Sequence, residues 1–341
     1  ITIVTNSNDS NWTATFTNIG GLSLTWNAIG PGINLTGSGD TPNFDFSPNA
    51  GLGDITITVT SNDNFDKVTE FLAPTRDIVS VNLSNAENLV NLRLPNNELT
   101  SIDLSANISI KELVLRNNAI TSINLSANTL LEKLQIQNNN LTSLDLLSNV
   151  NLLELDANNN DLTSINLTSN ASLTTLNLSS NDLTTIDLSN NALLKVINLD
   201  FNKLTTVAIG QVLTDVDAYG TGDFTHLLRL LGNTGSIPAS AVNAYNNLLS
   251  RDWTIVPPVY YDFGDAPNTY LTDLASGGAQ HIIGVVDLKI GLIVDDEPLG
   301  FPSANADGDD VDQTPDDEDG IAAGQLNGIL SSTDNFSVDV S

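Results

Sequence analysis

The sequence predicts a mainly β chain whose middle part winds into a right-handed solenoid with two parallel sheets. Apolar and asparagine positions return every 21 residues, and apolar residues alternate with polar ones inside each repeat. An acidic excess after residue 261 sets the C-terminal part of the chain apart. We therefore predict a β-sandwich-like N-terminal cap over 1–77, repeats over 78–210, a C-terminal cap with a helix over 211–258, and a truncated acidic module over 259–341.

The composition excludes several functional classes. The 341 residues include 41 acidic and 11 basic side chains, so the net charge of -30 argues against a nucleic-acid binder. No apolar run reaches the roughly 18 residues of a membrane span. Cysteine is absent, which excludes disulfides and thiolate chemistry. Ile1 starts in a strand-like run and the last residues resemble an interrupted strand, so we expect a piece of a longer protein.

Four columns of residues keep the 21-residue step. Two are apolar and two are asparagine, and each repeat thus holds two alternating segments that end at an asparagine. The first apolar column is Leu92, Leu113, Leu134, Leu155, Leu176 and Ile197, and the second is Ile102, Ile123, Leu144, Ile165, Ile186 and Val207. The asparagine columns are Asn97, Asn118, Asn139, Asn160, Asn181 and Asn202, and Asn107, Asn128, Asn149, Asn170 and Asn191.

Asparagine has a physical reason to recur at the corners of stacked coils. A tight turn leaves backbone N–H and C=O groups facing inward, where an unpaired group is costly. Because one amide both donates and accepts, it can satisfy its own coil and a neighbouring one. Stacking at about 4.8 Å also buries aliphatic side chains that one coil alone would leave exposed.

The repeat resembles the leucine-rich repeat family, with its L-x-x-L-x-L-x-x-N pattern, and more narrowly the nested 21-residue class from bacteria. The resemblance covers about 78–209 and departs from the pattern at Ala157 and Ala86. Proteins of this class occur mainly on bacterial surfaces or are secreted. The resemblance implies recognition of other molecules rather than catalysis.

The two outward faces of the predicted solenoid differ in variety. The second segment repeats Thr-Ser-x-Asp or close variants, whereas the first segment carries different charged and amide side chains in successive coils. We predict that the varied face binds a protein or a glycan; a solvated face without a ligand is the alternative. The candidate ligand-binding residues are Arg93, Glu112, Arg116, Lys133, Gln135, Glu154 and Asp156.

Binding of ice or of a crystalline glycan by the monotonous face is a further possibility. It requires Thr-x-Thr pairs that point outward, but the repeats place Asp or Asn at one position of each pair.

The flanking regions read as caps of the solenoid. Alternating strands are predicted over 13–17, 22–26 and 55–60, with Trp12 and Trp26 in a core. After 211 we predict a helix that starts near Ser236 or Ser240, a strand after Arg251, and a structural role for His226.

The acidic module has the residues that a calcium site needs. Between 295 and 320 there are 11 acids and no base, interspersed with Gly and Pro, and Ca²⁺ takes 6–8 oxygen ligands. Neither register of an EF-hand fits, and a solvating acidic linker remains open. The candidate metal ligands are Asp262, Asp265, Asp295, Asp296, Asn305, Asp307, Asp309, Asp310, Asp312, Asp316, Asp317, Glu318 and Asp319.

Residues 262–267, 278–281 and 316–320 carry a further resemblance, to the D-F-G-D-A-P acidic module of large adhesin-like bacterial surface proteins, which often precedes GEVED-type domains. It implies an extracellular, calcium-stabilised spacer. At the family level it also implies export, for example by type IX secretion, and contact with secretion or outer-membrane anchoring machinery.

No catalytic motif accompanies these features. The sequence lacks the nucleophile-elbow, zinc-protease, Walker and dinucleotide patterns, and its two histidines lie in different segments. We therefore predict a protein that is not an enzyme. Two hypotheses follow: an adhesion fragment that recognises a ligand on a host, neighbouring cell or other surface, and a purely structural spacer of a cell-surface filament.

Overall fold

The computed structural model describes residues 1–18, 23–62, 65–220 and 226–256, and two short strands at 260–262 and 281–283. The chain divides into two units, 1–255 and 256–341. In the second unit, strand Tyr260–Asp262 pairs antiparallel with strand His281–Ile283, and Asp262 lies opposite His281.

The N-terminal residues form an antiparallel sheet. The strands of this region are β1 (Thr2–Thr5), β2 (Trp12–Thr13), β3 (Thr15–Asn18), β4 (Leu24–Gly30), β5 (Ile33–Ser38), β6 (Asn43–Phe44), β7 (Ile55–Ser61), β8 (Val68–Leu72) and β9 (Ile78–Asn82), with a 3-10 turn at Ser47–Asn49. The strands of the antiparallel sheet pair in the order β5-β4-β7-β1-β9, and the predicted strands 13–17, 22–26 and 55–60 all overlap observed ones.

The repeats form one long parallel sheet, with one three-residue strand per coil. Leu92 pairs with Leu113, Leu113 with Leu134, and so on along the first apolar column, so the predicted register is confirmed. The strands are β10 (Asn91–Arg93), β11 (Glu112–Val114), β12 (Lys133–Gln135), β13 (Glu154–Asp156), β14 (Thr175–Asn177), β15 (Val196–Asn198), β16 (Leu227–Arg229) and β17 (Thr254–Val256).

The expected second parallel sheet is not formed in the described repeats. The second segments stay extended between turns, with no strand in the coils that begin at β10 to β14. The reason lies in the outward Asp or Asn of each segment. The Oδ1 of Asp103 accepts the backbone N–H of Ser105 at 2.9 Å, and Asn124 does the same for Ser126 at 3.0 Å. These local turns bend the chain where a strand would continue.

The first asparagine column links neighbouring coils as expected. Asn139 Nδ2 donates to Ile136 O in its own coil at 3.0 Å and to Leu115 O in the preceding coil at 3.1 Å. Its Oδ1 accepts the N–H of Ile120, also in the preceding coil, at 3.0 Å. One buried side chain thus satisfies three groups of the backbone across two coils.

The second asparagine column bridges coils by donation alone. Asn128 Nδ2 donates to Leu104 O at 3.2 Å and to Asn107 O at 2.9 Å. The Oδ1 atoms of this column are buried and accept no hydrogen bond from the described residues. These residues therefore tie together second segments that lack strand pairing.

The solenoid begins on the aromatic core of the N-terminal region. Phe71 of β8 lies in register with Leu92, and its ring stacks on Phe16 at 4.3 Å between centroids. Trp12 and Trp26 are fully buried, which confirms their predicted place in the core.

The last coil is interrupted by a helix that the repeat pattern missed. Helix α1 (Thr206–Asp217) replaces a second segment, so Val207 leaves its apolar column and is 81% exposed. The bridging role passes to Asn233, which accepts the N–H of Leu204 at 3.1 Å. Helix α2 (Val242–Ser250) confirms the predicted helix, but it follows a 3-10 turn, and no side chain caps it. Ser240 is therefore not its N-cap.

Replacing Asn139 by Ala should destabilise the solenoid, because it leaves buried backbone groups of two coils unpaired, at about 1–3 kcal/mol for each such group. Urea unfolding of Asn139→Ala measures this loss. The control is Asn151→Ala, whose exposed amide donates only to Thr129 O and should cost under about 0.5 kcal/mol. Equal losses in the two variants would contradict the bridging role.

Candidate functional site

The candidate site is the outward surface of the parallel sheet, which we call the sheet face. It consists of the first and third residues of each strand and the residue two positions further on. Its charged members are Glu70, Arg93, Glu112, Arg116, Lys133, Glu154, Asp156, Asp200 and Arg229. The structure thus brings all seven predicted ligand-binding residues to one surface, six of them on strands and Arg116 just beyond β11.

Ion pairs between neighbouring coils order one half of the sheet face. Arg93 lies between Glu70 and Glu112, with N–O distances of 2.6 Å to each. The hydrogen bond with Glu112 raises the pKa of the Arg93 guanidinium. One coil further on, Lys133 pairs with Glu154 at 2.7 Å. Opposite charges alternate along this series, so each of these five residues has an ion-pair partner within the protein.

Arg116 differs from the other bases of the sheet face. Its side chain is exposed and has no ion pair within 4 Å among the described residues. Its charge favours the ionised form of Asp156. Arg116 is therefore a cation that is available to a partner.

The other half of the sheet face contains a cavity of ≈ 260 Å³. Of the predicted residues, Gln135, Glu154 and Asp156 line it. The rest of the polar lining is not among the predicted ligand-binding residues. It consists of Thr175, Asn177 and Asn198, which continue the 21-residue step, and Arg229, which follows helix α1. The continued step could have identified the first three, but not Arg229, which lies beyond the insertion.

Asp156 is the charged residue of this cavity that has no ion pair within 4 Å among the described residues. Burial raises its pKa, although hydrogen bonds from Asn158, the charge of Arg116 and a hydrogen bond from Asn177 partly offset the effect. The carboxylate accepts the backbone N–H of Asn158 at 3.3 Å and its Nδ2 at 2.6 Å. The cavity therefore holds an oriented acceptor group whose ionised form is disfavoured by its surroundings.

The rim of the sheet face carries a column of left-handed residues. Five of the six are Asn or Ser, which suit this conformation, and the amides of neighbouring coils hydrogen-bond to one another. The column is Asn96, Asn117, Asn138, Asn159, Ser180 and Phe201, with φ between 51° and 56°. Phe201 is the exception and is 55% exposed.

Gly232 makes room for this ring. A Cβ on Gly232 would lie 2.4 Å from the Cδ1 of Phe201, and the φ of Gly232 is +72°, in the left-handed region. The aromatic ring therefore requires a glycine beneath it.

The predicted metal ligands remain a sequence-based prediction. Only Asp262 falls on a described residue, and the others lie outside the described ranges. Within those ranges no group of three or more His, Asp or Glu side chains is placed to hold a metal ion. The same part of the chain has no helix that is long and apolar enough to cross a membrane.

Comparison with known proteins gives similarity at the level of the fold. No family model and no curated protein matches the sequence. Similar solved structures include the functional domain of InlJ from Listeria monocytogenes, at 20% identity over 54% of this chain and 49% of that chain, with a TM-score of 0.40. A leucine-rich repeat protein from Leptospira interrogans matches at 20% identity over 53% of each chain, with a TM-score of 0.41.

A third similar structure, the leucine-rich repeat domain of APL1B, matches at 20% identity over 53% of each chain, with a TM-score of 0.42. This chain therefore spans about half the length of the structures it matches. The paired coils and the asparagine column described above define the fold as a leucine-rich repeat solenoid.

The two kinds of aspartate should respond oppositely to pH. Burial raises the pKa of Asp156, so Asp156→Asn should become more stable relative to wild type as pH rises upward from the usual aspartate range. Hydrogen bonds from Ser105 lower the pKa of Asp103, so Asp103→Asn should become less stable relative to wild type as pH rises from below that range into it. Thermal melts of both variants across this range test the signs. Parallel pH profiles would contradict them.

Proposed function

We propose that this chain is a non-enzymatic recognition module of a large exported bacterial surface protein, and that it binds a protein partner through the sheet face. The observation that carries the proposal is the contrast between the two sides of each coil. On the sheet face, residues at equivalent positions change from coil to coil, as in the series Glu112, Lys133, Glu154 and Thr175. Variation on a rigid, regularly spaced surface is what specific recognition needs.

The opposite side of the coils is less suited to recognition. Its outward polar position is always Asp or Asn, and these side chains accept hydrogen bonds from the backbone two residues on. Because their acceptors already bind within the coil, they have less to offer a ligand. The same local turns weaken the case for ice or crystalline-glycan binding, which needs a flat row of free hydroxyl groups.

Alternating charge on the sheet face favours a protein partner over a uniformly charged polymer. The face has five acidic and four basic residues, although the whole chain has a net charge of -30. Such a mixed pattern can match a complementary pattern on a folded protein and set its orientation. Arg116 is the base best placed to make a new ion pair.

A purely structural spacer is the second candidate. The ion pairs of Arg93 and Lys133 favour it, because charges already paired within the protein need no partner. The two candidates differ in whether the sheet face is covered when the parent protein is in place on the cell surface.

Reversing the charge of Arg116 should weaken binding of the partner about tenfold or more, mainly through slower association. The measurement is binding of wild type and Arg116→Glu to an array of cell-surface and extracellular proteins, followed by kinetics on each hit. The matched control is Lys203→Glu, an exposed base that pairs with Asp182 away from the sheet face and should leave binding unchanged. The absence of any bound protein, or equal effects of the two variants, would support the spacer instead.

We also propose that calcium stabilises the acidic module. The support is chemical: eleven carboxylates without a base between 295 and 320 repel one another unless a cation joins them. Adding a chelator to the full chain should lower the temperature of one unfolding transition, and calcium should restore it more effectively than magnesium. Asp307→Asn with Asp309→Asn should reduce the response. A melting curve that does not change with chelator would refute the proposal.

A further inference from the structure

We propose that the cavity between β12 and β16 is a binding subsite for a neutral saccharide. This subsite lies on the same sheet face as the protein contact proposed above, but its hydrogen-bonding residues lie in the later coils and do not include Arg116. Four residues carry the hydrogen bonding: Asp156, Asn177, Asn198 and Arg229.

These four residues form a continuous row across neighbouring strands. Asp156 pairs with Asn177, Asn177 with Asn198, and Asn198 with Arg229 in the register of the parallel sheet. Their side chains are a carboxylate, two amides and a guanidinium, which are planar groups that can each contact two adjacent ligand atoms. A sugar presents adjacent hydroxyl groups that donate and accept at once, so it matches a row that mixes both capacities.

The row is held in place from one side. Asn177 Oδ1 accepts the N–H and Oγ–H of Ser179 at 3.2 and 2.8 Å, and Asn198 Oδ1 accepts the N–H of Asp200 at 3.1 Å. Arg229 is fixed by the buried Asp200, which accepts its Nε at 2.7 Å and contacts its Nη2 at 2.6 Å. Groups with fixed orientations lose little entropy when a ligand binds.

Donor atoms remain available on the other side of the row. Asn198 Nδ2 and Arg229 Nη1 have no hydrogen-bond partner among the described residues, while Asp156 supplies acceptor oxygens. Val196 and Leu227 line the same cavity and give it an apolar portion. Oriented polar groups beside an apolar patch are what a small-ligand site requires.

The charge around the cavity favours a neutral over an anionic ligand. Glu154 pairs with Lys133, and Arg229 pairs with Asp200, whereas Asp156 has no ion pair within 4 Å among the described residues. An anionic ligand would meet this carboxylate and the negative field of the whole chain.

A peptide strand fits this surface less well than a saccharide. A peptide that extends a sheet needs the free edge of a strand. Strands β13, β14 and β15 pair with neighbours on both sides, so their backbone groups are already used. Recognition here has to come from side chains, as it does for sugars.

The test uses the full chain on an array of neutral oligosaccharides, with calorimetric titration of any that bind. Asn198→Ala should weaken binding about tenfold or more through the lost donor. Asn177→Ala should weaken it similarly, because this amide lies in the same row between Asp156 and Asn198. The matched control is Asn124→Ala, an exposed amide on the opposite side of the coil, which should bind as wild type does.

Binding of neutral sugars that both cavity variants weaken would support the subsite. It would be overturned if no neutral saccharide binds, if only anionic glycans bind, or if the cavity variants bind as tightly as the control. The outcome is independent of the protein partner, because Arg116→Glu tests that contact, and Arg116 does not line the cavity.

Discussion

The bridge that each buried asparagine of the first column makes between two coils is the interaction on which the rest of the structure depends. Three-residue strands supply only a few backbone hydrogen bonds each, and the inward corners between strands would otherwise leave backbone groups unpaired in an apolar core. Asn118, Asn160 and Asn181 repeat the bonds described for Asn139, so every coil is fixed to the one before it. Burial of the leucine side chains then adds hydrophobic stabilisation to a stack that the amides hold in register.

This constraint also explains why the two sides of a coil differ. On the side of the sheet, bridged corners hold successive strands in register, and outward side chains stand in straight columns. On the other side, the outward Asp or Asn satisfies its own turn, and the donated bonds of the second asparagine column help to join the coils. The result is one ordered surface whose side chains can vary without affecting the stack. Paired charges fill one half of that surface, and a row of oriented polar groups fills the other.

Much of the repeat could be predicted from the sequence, because its columns reflect one physical rule applied six times. The spacing of Leu92 and its equivalents predicted the register, and the asparagines predicted the bridges. The prediction of a second sheet was wrong. An Asp that points outward from a strand and an Asp that caps its own turn give the same alternation of apolar and polar residues in the sequence. Asn233 was missed because helix α1 places it 31 residues after Asn202 and thus outside the 21-residue step.

The candidate site was predicted in part for a similar reason. Charged residues such as Arg93 and Lys133 stand out in a sequence, but their ion pairs depend on which coils are neighbours. Asn177 and Asn198 look like ordinary polar positions until the register places them in a row with Asp156 and Arg229. Phe201 could have been noticed from the sequence, since it breaks a column of Asn and Ser, but its exposure depends on the glycine beneath it.

Amide hydrogen exchange, resolved to single residues, tests the bridging account most directly. The account predicts slow exchange for the N–H groups of the sheet strands and for those of Ile120, Leu141 and Leu162, which an asparagine Oδ1 of the next coil accepts. The second segments, such as 101–104, should exchange much faster. Equal protection of both segments, or fast exchange at Ile120, Leu141 and Leu162, would contradict it.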